Sequence, residues 1–181
     1  MTSSSNASER LPPFSLHTLL TPVFSVSSSV TRAVRSVSVT SPSNVYAAAT
    51  DGSFKILDCN ASPPTETRSL GPASLAPSKK SIDKLAVLET VDRLLVLAEG
   101  VLTFHHASTL DVMSSGAAAR GIGSAVKNVL SFAVDDFNAR PDHVEVAIIR
   151  RKGVAHFKVS RNTVELLHVR LMLREARRFS F

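Results

Sequence analysis

Three short segments of this chain share one plan. TDGSFKIL (50–57), AEGVLTFH (98–105) and RKGVAHFKV (151–159) each set a glycine between apolar runs, and the run after it alternates apolar and polar residues. The glycines, Gly52, Gly100 and Gly153, stand 48 and 53 residues apart. Alternation of period two gives a strand one face for a core, and a glycine between two such runs supplies the positive φ of a tight hairpin. A further strand-like run precedes each hairpin: VFSV before NVYAAAT, DKLAVLE before RLLVLAE, and LSFAVDD before HVEVAII. After the third hairpin TVELLHV (163–169) is a clear fourth strand; STLDVM (108–113) stands in that place after the second, and only ETRSL (66–70) after the first.

The unit is strand, strand, glycine turn, strand and a variable outer strand in roughly 50 residues, the signature of a propeller blade. One four-stranded sheet cannot bury both faces alone, so such units stack. The expected fold class is all-β, a partial β-propeller of about three to three and a half four-stranded blades. A β-sandwich also has alternating strands and glycine turns, but three matched hairpins, each with the same upstream strand, favour the propeller. Propellers have typically 4 to 8 blades, so the chain is expected to be part of a longer protein or to close by association. The structural turns are assigned to Asp51, Gly52, Glu99, Gly100, Lys152 and Gly153.

Outside the repeat, residues 1–13 are Ser-rich and read as a disordered polar tail. Residues 14–181 read as the propeller portion, with a mobile Pro/Ser-rich loop at 60–80. SGAAARGIGSAVKN (115–128) has helical composition, but three glycines make it a loop. RLMLREARRF (170–179) reads as a strand end with possible local helix. Neither an apolar run of membrane-spanning length nor a secretory leader is present, so an intracellular, soluble chain is expected. The single cysteine, Cys59, excludes an intrachain disulfide and reads as a half-buried small hydrophobe.

Net charge is +6 with a pI near 10.0, which raises the alternative of a basic nucleic-acid-binding propeller. The Lys and Arg clusters, Lys79-Lys80, Arg150-Arg151-Lys152 and Arg174 with Arg177-Arg178, are short and scattered, and aromatic residues are only 6% of the chain. Single strands need stacking partners, so nucleic acid ranks second.

Within RLLVLAEGVLTFHHASTLDVM, NVLSFAVDD and EVAIIRRKGVAHFKV, the residues Leu95, Val96, Leu97, Gly100, Leu102 and Leu110, then Phe132-Ala133-Val134-Asp135, then Val146, Ala147 and Lys152 form a recognisable series. It resembles the citron homology (CNH) domain over residues 20 to 181, and NVYAAATDGSFKILDC is similar to that family's first hairpin. The subgroup it is most similar to is the N-terminal domain of the vacuolar sorting and TGF-beta receptor-associated proteins, subunits of the HOPS and CORVET tethering complexes. The resemblance implies a seven-bladed, non-catalytic scaffold without cofactor that contacts Rab-type small GTPases and other tethering subunits. It also implies a cytoplasmic protein, peripheral on endosome or vacuole membranes through its partners.

The residues themselves gather no reaction. His17, His105-His106, His143, His156 and His168 lack the i, i+4 helical spacing of a zinc enzyme, and no HExxH occurs. Gly116, Gly121 and Gly123 fail the P-loop pattern, since Ile122 and Gly123 stand where Lys and Ser/Thr belong, and Val126 fails the dinucleotide pattern. Ser124 and Lys127 match S-x-x-K without its companion motifs. Asp135, Asp136 and Asp142 read as turn residues with no base or nucleophile beside them. No catalytic, metal or cofactor residue is assigned, and the partner-binding face is not specified by the sequence.

Overall fold

The computed structural model describes residues 34–39, 44–61, 63–72, 74–75, 81–113 and 125–171. They form three four-stranded antiparallel sheets, each a simple meander. The first holds β1 (Val34–Val39), β2 (Asn44–Ala49), β3 (Phe54–Asp58) and β4 (Thr65–Leu70). The second holds β5 (Lys84–Leu88), β6 (Arg93–Ala98), β7 (Val101–His106) and β8 (Ala125–Lys127). The third holds β9 (Val129–Asp135), β10 (His143–Arg150), β11 (Gly153–Ser160) and β12 (Val164–Leu171). A single 3-10 turn, Glu89–Val91, joins β5 to β6. The chain is a partial β-propeller of three described blades, and among the described residues no helix is long and apolar enough to cross a membrane.

Stacking explains the sequence of the middle blade. RLLVLA in β6 is buried at every position. Its two faces serve different neighbours: Leu94, Val96 and Ala98 join Tyr46, Ala48, Phe54 and Ile56 of the first blade in one core cluster. Leu95 and Leu97 join Phe104, Phe132, Ile148 and Phe157 in another, shared with the third blade. A strand covered on both sides reads as a continuous apolar run, whereas β11, covered on one, keeps strict alternation of buried and half-buried residues.

Several strands depart from the expectation. The segment 60–80 is not one mobile loop, because Thr65–Leu70 within it is the outer strand β4. Lys55 of β3 pairs across to Glu66 of β4, which gives this polar strand a partner. The outer strand of the middle blade is not STLDVM. Val112 makes one isolated bridge to His105, and β8 comes instead from the end of the segment read as a glycine loop. The innermost strand of the first blade is VRSVSV, which is not among the expected runs; the run expected there, residues 22–30, lies outside the described residues, as do the expected tail 1–13 and residues 172–181.

Side chains bolt the blades together. Lys84 Nζ of β5 donates to the Phe132 carbonyl of β9 at 2.6 Å and sits 5.0 Å above the Phe132 ring. Arg93 is 1% exposed; its Nε donates to the Ser160 carbonyl at 3.2 Å and its Nη1 to His106 Nδ1 at 2.8 Å. Between the first two blades, Arg68 of β4 donates to the carbonyls of Ser108 and Thr109 at 3.1 and 3.0 Å.

Candidate functional site

The three glycine turns are not alike. In the first, Gly52 has φ +80° and its N–H donates to the Ala49 carbonyl at 3.1 Å, while the Asp51 carboxylate accepts the Ser53 N–H at 3.0 Å. This is a three-residue loop closed by a left-handed glycine. In the second, Ala98 pairs with Val101, so Glu99 and Gly100 are the whole loop, and both have positive φ, +50° and +72°. That is the type I′ geometry, which matches the right-handed twist of the flanking strands. In the third, Arg150 pairs with Gly153, so the loop is Arg151 and Lys152, and Gly153 is the first residue of β11. Positive φ is not what requires glycine there. A Cβ at Gly153 would stand 2.3 Å from the Arg170 carbonyl oxygen; the residue is small because β12 crosses close against it.

Two of these turns meet. In a meander the β6–β7 and β10–β11 turns lie at the same end of their blades, and the chain passes from blade two to blade three through Lys127, Asn128 and Val129 at that end. Asn128 takes a left-handed φ of +60°, and the Val129 N–H donates to the Gly100 carbonyl at 2.9 Å, which ties the passage to the turn. Between them lies a groove of about 810 Å³. Its floor is apolar, from Val101, Val129, Val154 and Ala155, and its rim is basic, from Lys127, Arg150, Arg151 and Lys152. The four cations are exposed and make no ion pair among the described residues; Glu99 is the acidic member of the lining. Leu130, 57% exposed, stands at the same rim. A volume in this range suits a peptide segment or a small ligand.

The other candidate residues are absorbed by the fold. His105 is fully buried: its Nδ1–H donates to the Leu110 carbonyl at 3.1 Å, which leaves Nε2 to accept the Thr103 hydroxyl at 2.9 Å. Burial holds its pKa below the ordinary histidine value. His106 accepts from Arg93, whose own pKa burial lowers. His143 bonds Asp142 at 2.9 Å, and that hydrogen bond lowers the Asp142 pKa. His156 and His168 stack across β11 and β12 with ring centroids 4.3 Å apart. Asp135 accepts from the side chain and backbone of Asn138, which lowers its pKa.

Burial would raise the Asp92 pKa, but hydrogen bonds from Ser108 and the neighbouring His106 outweigh it and lower the value. Among the described residues no group of three His, Cys, Asp or Glu side chains could hold a metal ion. Cys59 is a half-buried free thiol. Lys127 lies on a strand rather than on the helix that an S-x-x-K site needs, and Ser124, His17 and the glycines at 116, 121 and 123 lie outside the described residues.

Glu99, Gly100, Lys152 and Gly153 are legible in the sequence as turn residues and Arg150-Arg151-Lys152 as a charge cluster, but nothing in the sequence brings them together. Lys127 and Leu130 come beside these turns through strand pairing, Val101 with Lys127 in blade two and Arg150 with Val129 in blade three, which no local pattern encodes.

No family model and no curated protein matches the sequence. Among solved structures, the chain is similar to the crystal structure of Saccharomyces cerevisiae Sqt1, a β-propeller, with a TM-score of 0.54 and 11% identity. The match covers 78% of this chain and 36% of that one. At this identity the likeness bears on fold alone.

Proposed function

We propose that this chain is a non-catalytic protein-interaction scaffold of the vesicle-tethering kind, contacting a Rab-type small GTPase or other tethering subunits at endosome or vacuole membranes. The CNH resemblance supplies the biological setting. The observation that carries the interaction role is the groove, whose basic rim and apolar floor come from two adjacent blades and whose four cations make no ion pair among the described residues, with Glu99 the acidic member of the lining. Of the described histidines and carboxylates, His105, Asp135 and the His143–Asp142 pair are held in hydrogen bonds within the fold. The test is retention of the protein on an immobilised Rab-type GTPase loaded with a non-hydrolysable GTP analogue or with GDP. Preferential retention by the GTP form is expected, and retention that ignores the nucleotide would remove the GTPase contact.

The basic rim is also the observation that favours nucleic acid as a second reading. A steep fall of RNA affinity with salt is the signature of phosphate contacts. Against it, the described lining of the groove contains no aromatic residue on which bases could stack.

A further inference from the structure

We infer that the groove between blades two and three receives an acidic segment of a partner protein that carries apolar side chains among its carboxylates. The inference rests on the scaffold reading above and narrows it to a class of ligand and a place.

The groove has two chemistries, and the occupant must answer both. Lys127 from blade two and Arg150, Arg151 and Lys152 from blade three line it with positive charge that makes no ion pair among the described residues, against the single carboxylate of Glu99 in the described lining. Three of the four sit on the β10–β11 hairpin, so their spacing is fixed by strand pairing through Arg150 and Gly153. The absence of a Cβ at Gly153 lets β12 close in, which raises Val169 as a wall beside the hairpin. Inside this rim the surface is apolar, and Leu130 and Val169, 57% and 51% exposed, are left in water. Exposed apolar side chains beside a formed concavity are the usual mark of a docking site.

A fully hydrophilic polyanion would satisfy the rim and leave the floor and Leu130 wet. A single-stranded nucleic acid would find phosphate partners but no ring to stack on among the described lining residues. An anionic bilayer presents a broad surface, while these cations surround a hollow. An acidic peptide with leucine-like side chains places carboxylates on the guanidinium and ammonium groups and an apolar side chain over Leu130 and Val154.

The experiment is fluorescence anisotropy of the whole chain with a labelled peptide of about a dozen residues that alternates Asp or Glu with Leu. Comparison probes are the same peptide with Gly for Leu, a single-stranded RNA of similar charge, and phosphatidylserine/phosphatidylcholine vesicles. The expected result is binding of the acidic–Leu peptide, weakened about tenfold or more by the Gly replacement, by Arg151→Glu with Lys152→Glu, and by Leu130→Asp. Arg140→Glu, on the β9–β10 connection at the opposite end of the blade, should leave binding unchanged.

All the substituted residues are exposed, and an unchanged melting transition for each variant excludes unfolding as the cause of a loss. Lys127→Glu, on the other blade, should reproduce it. Equal binding of the Gly peptide, tighter binding of RNA or vesicles at the same residues, or indifference to all the groove substitutions would overturn the inference. If the peptide fails to bind while nucleotide-dependent GTPase retention persists, the groove inference falls and the scaffold reading stands; retention lost with peptide binding intact gives the converse.

Discussion

The two joins between blades solve one packing problem with different polar devices. The join of blades one and two buries a neutral pair, Thr103 and His105, and keeps its cation, Arg68, at the solvent edge. The join of blades two and three buries the cation itself, Arg93, beside a core containing Phe104, Phe132 and Phe157. Both arginines donate to main-chain carbonyls across the join, so bond type is not the difference. Burial is. An exposed bond competes with water and contributes little, while a buried donor leaves its acceptors stranded when it is removed.

That contrast can be broken most forcefully at Phe132. Phe132→Ala should cost about 3–5 kcal/mol through lost burial and the cavity left behind, read as a fall in the urea midpoint with an unchanged m-value. A much smaller loss would mean that the third blade contributes little to the cooperative unit. Arg93→Met comes next: it keeps much of the apolar stem but removes the buried donor to the Ser160 carbonyl and to the half-exposed His106, for an expected cost of about 2–4 kcal/mol. Parity with Arg68→Met would erase the difference between the joins.

The turns sharpen the comparison. Gly153→Ala drives a methyl group into the backbone of β12 and should cost about 1–3 kcal/mol. Gly100→Ala meets only a left-handed φ, with the nearest atom 3.4 Å from the new Cβ, and should cost about 1–2 kcal/mol. Thermal melts of the two variants side by side would show whether close approach outweighs dihedral strain here.

A pH titration reaches the other join. His105 has a lowered pKa when folded, so between that value and its unfolded value of about 6.5 the unfolded chain binds more protons. Its stabilising contribution is complete above about pH 6.5 and declines as the pH falls through the folded pKa. Denaturation midpoints should drop on acidification in the wild type and drop less in His105→Asn. The smallest effect is reserved for Arg68→Met, expected below about 1 kcal/mol.

Where burial imposes a period, the sequence could be read. The hairpins around Gly52 and Gly100, the all-apolar run Leu94 to Ala98 and the alternation of β10 and β11 reported strands, their order and the blade repeat. The outer strand β12 was legible as TVELLHV, but the other two outer strands could not be read this way. In β4, TETRSL, five of six residues are exposed, so no apolar period exists, and the prolines and serines around it suggested a loop. β8 is three residues long beside a glycine-rich stretch, too short to show alternation. Gly153 looked like its two counterparts because its neighbour, the Arg170 carbonyl, arrives from another strand. The groove was hidden for the same reason: Lys127 comes near Arg150 through the pairing of Val129 with Arg150 across strands, a contact distant in sequence.

The acceptors of the inter-blade bolts have one more consequence. Lys84, Arg93 and Arg68 reach the carbonyls of Phe132, Ser160, Ser108 and Thr109, atoms that every residue possesses. A fastener that grips the main chain sets no requirement on the side chain at the gripped position. Substitutions can therefore accumulate on the receiving blade while the fastening persists, and the shape can outlast the spelling. That is one physical route to a chain with a propeller's outline and 11% identity to a propeller that shares it.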